Sequence, residues 1–184
     1  MKFTETDLPG VILAEPDVHE DPRGFFLETY REDRYRAAGI FGPFVQDNHS
    51  RSTKGTIRGL HAQRKRPQGK LVRVIEGAVY DVAVDIRKGS PSFGRFFAAE
   101  LSSRNFQQLY IPPGFAHGFC VTSPICEFEY KCTDYYDPSD EIVIAWNDPA
   151  VAIPWPVTNP LLSNRDKAAP TLEQAADRLP LYTS

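Results

Sequence analysis

Sixteen prolines and twelve glycines punctuate this chain of 184 residues at short intervals. Proline removes a backbone donor and clashes inside a helix, so such spacing favours short strands joined by turns. Turn signals stand at Gly77, Gly89-Ser90-Pro91, Pro112-Pro113-Gly114 and Asp137-Pro138. Between and around them, Leu71–Ile75, Val79–Ile86, Phe96–Leu101, Gln108–Ile111, Phe119–Thr122, Glu127–Cys132 and Ile142–Trp146 are expected to be strands. Val79–Ile86 alternates cleanly, with Tyr80, Val82, Val84 and Ile86 on one face and Asp81, Ala83 and Asp85 on the other. Only two stretches read as helix. Arg31–Ala38 ends at Gly39, a good C-terminal cap, and Thr171–Asp177 opens with a Thr171/Gln174 capping-box pair. The expectation is one all-β domain over residues 1–184, a sandwich or barrel of the jelly-roll kind with short peripheral helices.

A hydrophobic content of 41% and a charged content of 24% are ordinary for a folded domain. The apolar runs fall well short of the roughly 20 residues that a membrane helix needs. The first ten residues, MKFTETDLPG, carry acids and no apolar stretch, so the cytoplasm is the expected compartment. Cys120, Cys126 and Cys132 are odd in number and show no zinc-site or C-x-x-C spacing. They are expected to be small buried hydrophobes in a reducing environment.

Charge is distributed unevenly. Residues 51–70 hold seven basic side chains and no acid, within a chain of net charge -3. That contrast points to a local anion site. A nucleic-acid surface fits less well, because the pI is about 5.8 and bases are not spread over the rest of the chain. His61 lies inside the segment, and histidine is the side-chain type suited to exchanging protons near neutrality. Strict strand register would put Arg58 and His61 on opposite faces. Gly59 between them offers a bulge that would re-aim one of them.

Tyr130 shares strand parity with Phe128 and Cys132, so its phenol is expected to point inward. A phenol inside a cavity either serves structure or donates a proton. His117 follows the Pro112-Pro113-Gly114 turn and suits a phosphate or carbonyl contact. His19, His49, His61 and His117 never approach the H-x-H spacing of metal-binding jelly rolls, so no metal is expected. Asp166 by itself reads as a solvated loop charge.

Eight segments together resemble the dTDP-4-dehydrorhamnose 3,5-epimerase family. They are Arg23-Gly24-Phe25-Phe26, Gln46-Asp47-Asn48-His49-Ser50, Arg58-Gly59-Leu60-His61, Gln68-Gly69-Lys70-Leu71-Val72-Arg73, Phe93-Gly94, Ile111–Phe119, Tyr130–Tyr136 and Trp146-Asn147-Asp148-Pro149. They run in order from about Leu8 to Pro170. The resemblance implies a cupin jelly roll, a homodimer, and neither metal nor organic cofactor. It further implies inversion of C3 and C5 in dTDP-4-dehydro-6-deoxy-D-glucose on the way to dTDP-L-rhamnose. By the same resemblance His61 matches the base, Tyr130 the acid, Asp166 the carboxylate that pairs with the histidine, and Lys70 the lysine near the sugar ketone. Arg23, Glu28, Gln46, Asp47, Asn48, Arg58, His117, Glu141 and Arg165 match nucleotide-sugar contacts. The chain departs from the family at Ala62, Glu129 and Arg165, where an aromatic, an apolar residue and a lysine are usual. Ala62, next to the base, is the departure expected to bear on the sugar pocket. The alternatives that stay open are an epimerase acting at one carbon, a 3,4-ketoisomerase, a non-catalytic sugar-nucleotide-binding cupin, and a metal-dependent cupin oxygenase.

Overall fold

Turns fall where the glycines and prolines stand, and the segments between them pair into antiparallel ladders. The computed structural model describes residues 1–183. Its first strands are β1 (Lys2–Glu5), β2 (Ile12–Glu15), β3 (Val18–Asp21), β4 (Gly24–Leu27), β5 (Gln46–Thr53) and β6 (Ile57–Gln63). They are followed by β7 (Lys70–Glu76), β8 (Ala78–Asp85), β9 (Phe96–Ser102) and β10 (Gln108–Ile111). The last are β11 (Phe115–Val121), β12 (Ile125–Cys132) and β13 (Glu141–Val143). Two short helices join them, α1 (Glu32–Ala37) and α2 (Asn164–Lys167).

One sheet has the strand order β1-β2-β10-β7-β12-β5 and the other β13-β6-β11-β8-β9, while β3 and β4 form a separate hairpin. The fold is an all-β, cupin-type jelly roll, as expected. Between the sheets, inward residues of both layers interdigitate: Val72 and Val74 from β7, Phe128 from β12, Phe115 and Phe119 from β11, and Ala83 from β8. Behind the second sheet, Val82, Val84 and Ile86 pack with Leu172, Ala175 and Leu179 of the C-terminal segment. Helix α1 closes the outside of the first sheet, where its buried Tyr35 packs with Ile12, Leu71 and Tyr110.

The alternation of Val79–Ile86 holds, but both of its faces are buried. Asp81 and Asp85 are fully enclosed, and a buried carboxylate requires partners. Asp85 accepts from Arg87, Ser90 and Ser92 at 2.7, 2.5 and 2.7 Å.

Four expectations need correction. The strand expected at Phe119–Thr122 begins earlier, at Phe115, straight after the turn. The strand expected at Ile142–Trp146 is β13, Glu141–Val143. Thr171 and Gln174 do form the reciprocal capping bonds. Only a single 3₁₀ turn, Ala176–Arg178, follows them. The chain bends there so that Leu172, Ala175 and Leu179 can all reach the second sheet. Asp166, read as a loop charge, is buried in α2. Among the described residues no helix is long and apolar enough to cross a membrane.

Candidate active site

Polar residues replace apolar ones at one end of the space between the sheets, and a cavity of about 640 Å³ opens there. The first sheet contributes Gln46 and Asn48 from β5, Lys70 from β7, and Tyr130 and Cys132 from β12. The second contributes Arg58 and His61 from β6, His117 from β11 and Glu141 from β13, and α2 adds Arg165 and Asp166.

Gly59 lets Arg58 and His61 share this cavity. In the β6–β11 ladder, His61 pairs with His117 and Arg58 with Phe119, so three steps on β6 match two on β11. That is the bulge expected at Gly59, which has φ +120°. A Cβ there would lie 2.5 Å from Gly118 Cα and 2.7 Å from the His117 carbonyl oxygen. Only glycine permits so close an approach of the two strands.

His61 Nε2 lies 2.7 Å from Asp166 Oδ1. A carboxylate acceptor on Nε2 keeps the proton on that nitrogen in the neutral ring and leaves Nδ1 with the lone pair. Burial works against the Asp166 charge, yet the hydrogen bond and charge of His61, the Ser163 hydroxyl and Arg165 together hold its carboxyl below the usual range. Arg165 stands within 3.5 Å of the same imidazole nitrogen and pairs with Glu141.

Tyr130 faces this pair from the opposite sheet. Desolvation is the main reason its phenol is pushed up to about 12, so it stays protonated at neutral pH. Lys70, the cross-strand neighbour of Cys132, donates to the His61 carbonyl at 3.4 Å. Burial lowers its ammonium, against the opposing influence of Cys132, Glu141 and Asp81. Arg58 donates through Nε to Ser52 Oγ at 3.0 Å, which fixes the guanidinium plane and leaves its terminal nitrogens without a hydrogen-bond partner among the described residues. His117 Nε2 meets Asp81 at 2.9 Å, and its ring stacks on Phe128 at 17°.

Three residues named from the sequence do not join this group. Asp47 lies between Gln46 and Asn48 and so points out of the opposite face, where it accepts from Lys131 at 3.0 Å. Arg23 sits at the tip of the β3–β4 hairpin and pairs with Asp21 at 2.6 Å. Glu28 pairs with Arg34 at 3.1 Å. The basic segment is likewise no single patch: of its seven cations only Arg58 and Lys70 line the cavity. Ala62 borders the cavity, but it is buried with Leu60 and Ile142 behind the strand. It thus meets both the cavity wall and the layer under β6.

Other cavity residues were passed over in the sequence. Tyr136 is an exposed ring at the mouth, and its backbone N–H donates to Gln46 Oε1 at 2.9 Å. Ser52, Ser163 and Asp81 each hold a polar cavity side chain. A charge within the apolar Val79–Ile86 run was the one available signal for Asp81. Among the described residues no group of three His, Cys, Asp or Glu side chains is arranged to hold a metal ion.

A family model described as dTDP-4-dehydrorhamnose 3,5-epimerase matches residues 5–174. A Neisseria gonorrhoeae protein named dTDP-4-dehydrorhamnose 3,5-epimerase is 54% identical over 176 residues, 95% of this chain; the chain spans 54% of that longer relative. A Pseudomonas aeruginosa protein of the same name is 52% identical over 91% of this chain and 93% of its own length. A crystal structure of dTDP-6-deoxy-D-glucose-3,5-epimerase from Legionella pneumophila, in complex with dTDP-4-keto-L-rhamnose, is 48% identical. It superposes with a TM-score of 0.96 over 100% of this chain and 99% of that one.

Proposed function

The chain belongs to the dTDP-4-dehydrorhamnose 3,5-epimerase family, and from that membership we propose that it inverts C3 and C5 of dTDP-4-dehydro-6-deoxy-D-glucose by proton transfer through an enolate. The supporting observation is that His61, on the second sheet with Asp166 at 2.7 Å, faces Tyr130 on the first across one cavity.

A ketone at C4 acidifies the hydrogens on C3 and C5, since loss of either leaves an enolate. His61 takes the proton, and the Asp166 carboxylate stabilises the imidazolium that results. Inversion requires a new proton from the other side of the ring, and the neutral Tyr130 phenol supplies it. Its acidity, although weakened by burial, still exceeds that of the carbon acid being reformed. Lys70 offers a fixed cation to the developing oxyanion in a poorly hydrated site. Arg58 suits the diphosphate, whose oxygens match a guanidinium fork, and His117, held through Nε2 by Asp81, lines the same cavity. Gln46, Asn48, Glu141 and Arg165 line the remaining wall, and the exposed Tyr136 ring suits a planar base. After each inversion, imidazolium and tyrosinate are reset by exchange with solvent.

Arg23 and Glu28 fit this scheme as contacts to a second subunit's site in a homodimer. They lie on and just after a hairpin that carries two exposed rings, Phe25 at 59% and Phe26 at 72%. A cytoplasmic location accords with a nucleotide-sugar substrate and with three free, buried cysteines.

The test is incubation with dTDP-4-dehydro-6-deoxy-D-glucose in deuterium oxide, read by mass spectrometry and proton NMR. Deuterium at both C3 and C5 is expected. Deuterium at one carbon would make the protein a single-carbon epimerase. Tight dTDP binding without any incorporation would leave a binding module and withdraw the catalytic roles.

A further inference from the structure

We propose that Ser163 is a positioning residue that aims Asp166 at His61. The inference rests on the His61–Asp166 pair being the base of the reaction. Asp166 has two carboxylate oxygens and one partner for each. Oδ1 meets His61 Nε2 at 2.7 Å, and Oδ2 accepts from the Ser163 hydroxyl at 2.7 Å. The same hydroxyl accepts from the Asp166 backbone N–H at 3.1 Å, so Ser163 holds this residue at both its main chain and its side chain.

The local structure makes that grip necessary. Helix α2 has four residues, too few for cooperative helix bonding to hold it rigid. A carboxylate also turns easily about its last torsion, which is broad and roughly two-fold. With Asp166 only 4% exposed, water is a poor substitute for a lost partner. The Ser163-x-x-Asp166 spacing is that of a capping box. Here, however, the acid takes the cap's hydroxyl instead of reaching back to its N–H. One oxygen is thereby occupied, and the plane of the other is set toward the imidazole.

Ser163→Gly separates this role from helix capping, because glycine is itself well tolerated at an N-cap. The expected result is a kcat lowered roughly tenfold to a hundredfold, with KM and dTDP affinity nearly unchanged. Ser163→Thr, which restores the hydroxyl, is expected to recover most of the turnover. Wild-type kcat in the glycine variant would overturn the proposal. So would a threonine variant as slow as the glycine one, or a loss confined to KM. His61→Asn run in parallel separates the two levels. An active His61→Asn enzyme removes the base itself, whereas an inactive one beside a fully active Ser163→Gly removes only the positioning role.

Discussion

Arg58 and His61 face the same cavity although three positions separate them along β6, and residues of a regular strand share a face only at even spacing. The extra residue is Gly59, where three steps on β6 match two on β11. A guanidinium and an imidazole are thus brought to one cavity by a single irregularity in a ladder.

Gly59→Ala is therefore expected to damage fold and site together. Its Cβ would press on the Gly118 and His117 backbone, at 2.5 and 2.7 Å, and its φ of +120° disfavours any side chain. A loss of about 3 kcal/mol or more in urea unfolding is expected. Turnover by the fraction still folded should fall as well. A variant with wild-type stability would show that the strands can part there at little cost.

Tyr130→Phe removes one oxygen from the wall opposite His61. Turnover should drop by about 10²–10⁴-fold, while dTDP affinity stays within twofold. Isothermal titration with dTDP alongside the deuterium assay tests both halves. Half-normal turnover would mean that another group delivers the proton.

Arg58→Lys exchanges a fork anchored on Ser52 Oγ for a mobile point charge. Affinity for dTDP is expected to weaken about tenfold, or roughly 1.4 kcal/mol. A part of kcat should be lost with it, because remote binding helps to align the sugar. An unchanged dissociation constant would take Arg58 away from the diphosphate.

Asp85 makes a prediction about pH. Burial by itself would raise its pKa, but hydrogen bonds from Arg87, Ser90 and Ser92 prevail and hold it at about 2. A depressed folded-state pKa stabilises the fold fully above the unfolded value near 3.8, and that stability is lost as pH falls toward 2. The contribution is about 2 kcal/mol at neutral pH. Asp85→Asn should thus cost about 2 kcal/mol at pH 7, and the gap in urea midpoints should narrow below about pH 4. A gap constant down to pH 3 would contradict this.

Mixed dimers test the hairpin. Arg23→Ala and His61→Asn chains should each be poorly active alone. Co-refolded, they are expected to regain activity, since one of the two sites then combines an intact His61 with the partner's Arg23. Recovery no greater than the sum of the separate variants would keep Arg23 out of the partner's site.

Much of the chain was legible before folding. The strands from Lys70 onward announced themselves because one or both faces meet apolar neighbours, and the inward direction of Tyr130 followed from its parity with Phe128 and Cys132. Strand β5 gave no such signal. Its residues, QDNHSRST, include no apolar side chain, because one face lines a polar cavity and the other carries polar contacts such as the Asp47–Lys131 ion pair. Hydrophobic periodicity reports contact with a core, and β5 makes almost none.

Sequence by itself determined the all-β class, the family and the residue types available for proton transfer, since periodicity, turn residues and collinear motifs are all local properties of a chain. Tertiary structure alone decided which of those residues meet. Asp166 lies 105 positions from His61 and reaches it only through the path of the C-terminal segment around the second sheet. Asp47, one residue from two cavity side chains, is turned away from them by the pleat. Proximity across a fold depends on how the sheets pack and on the path the C-terminal segment takes over them, and neither is written in the spacing along the chain.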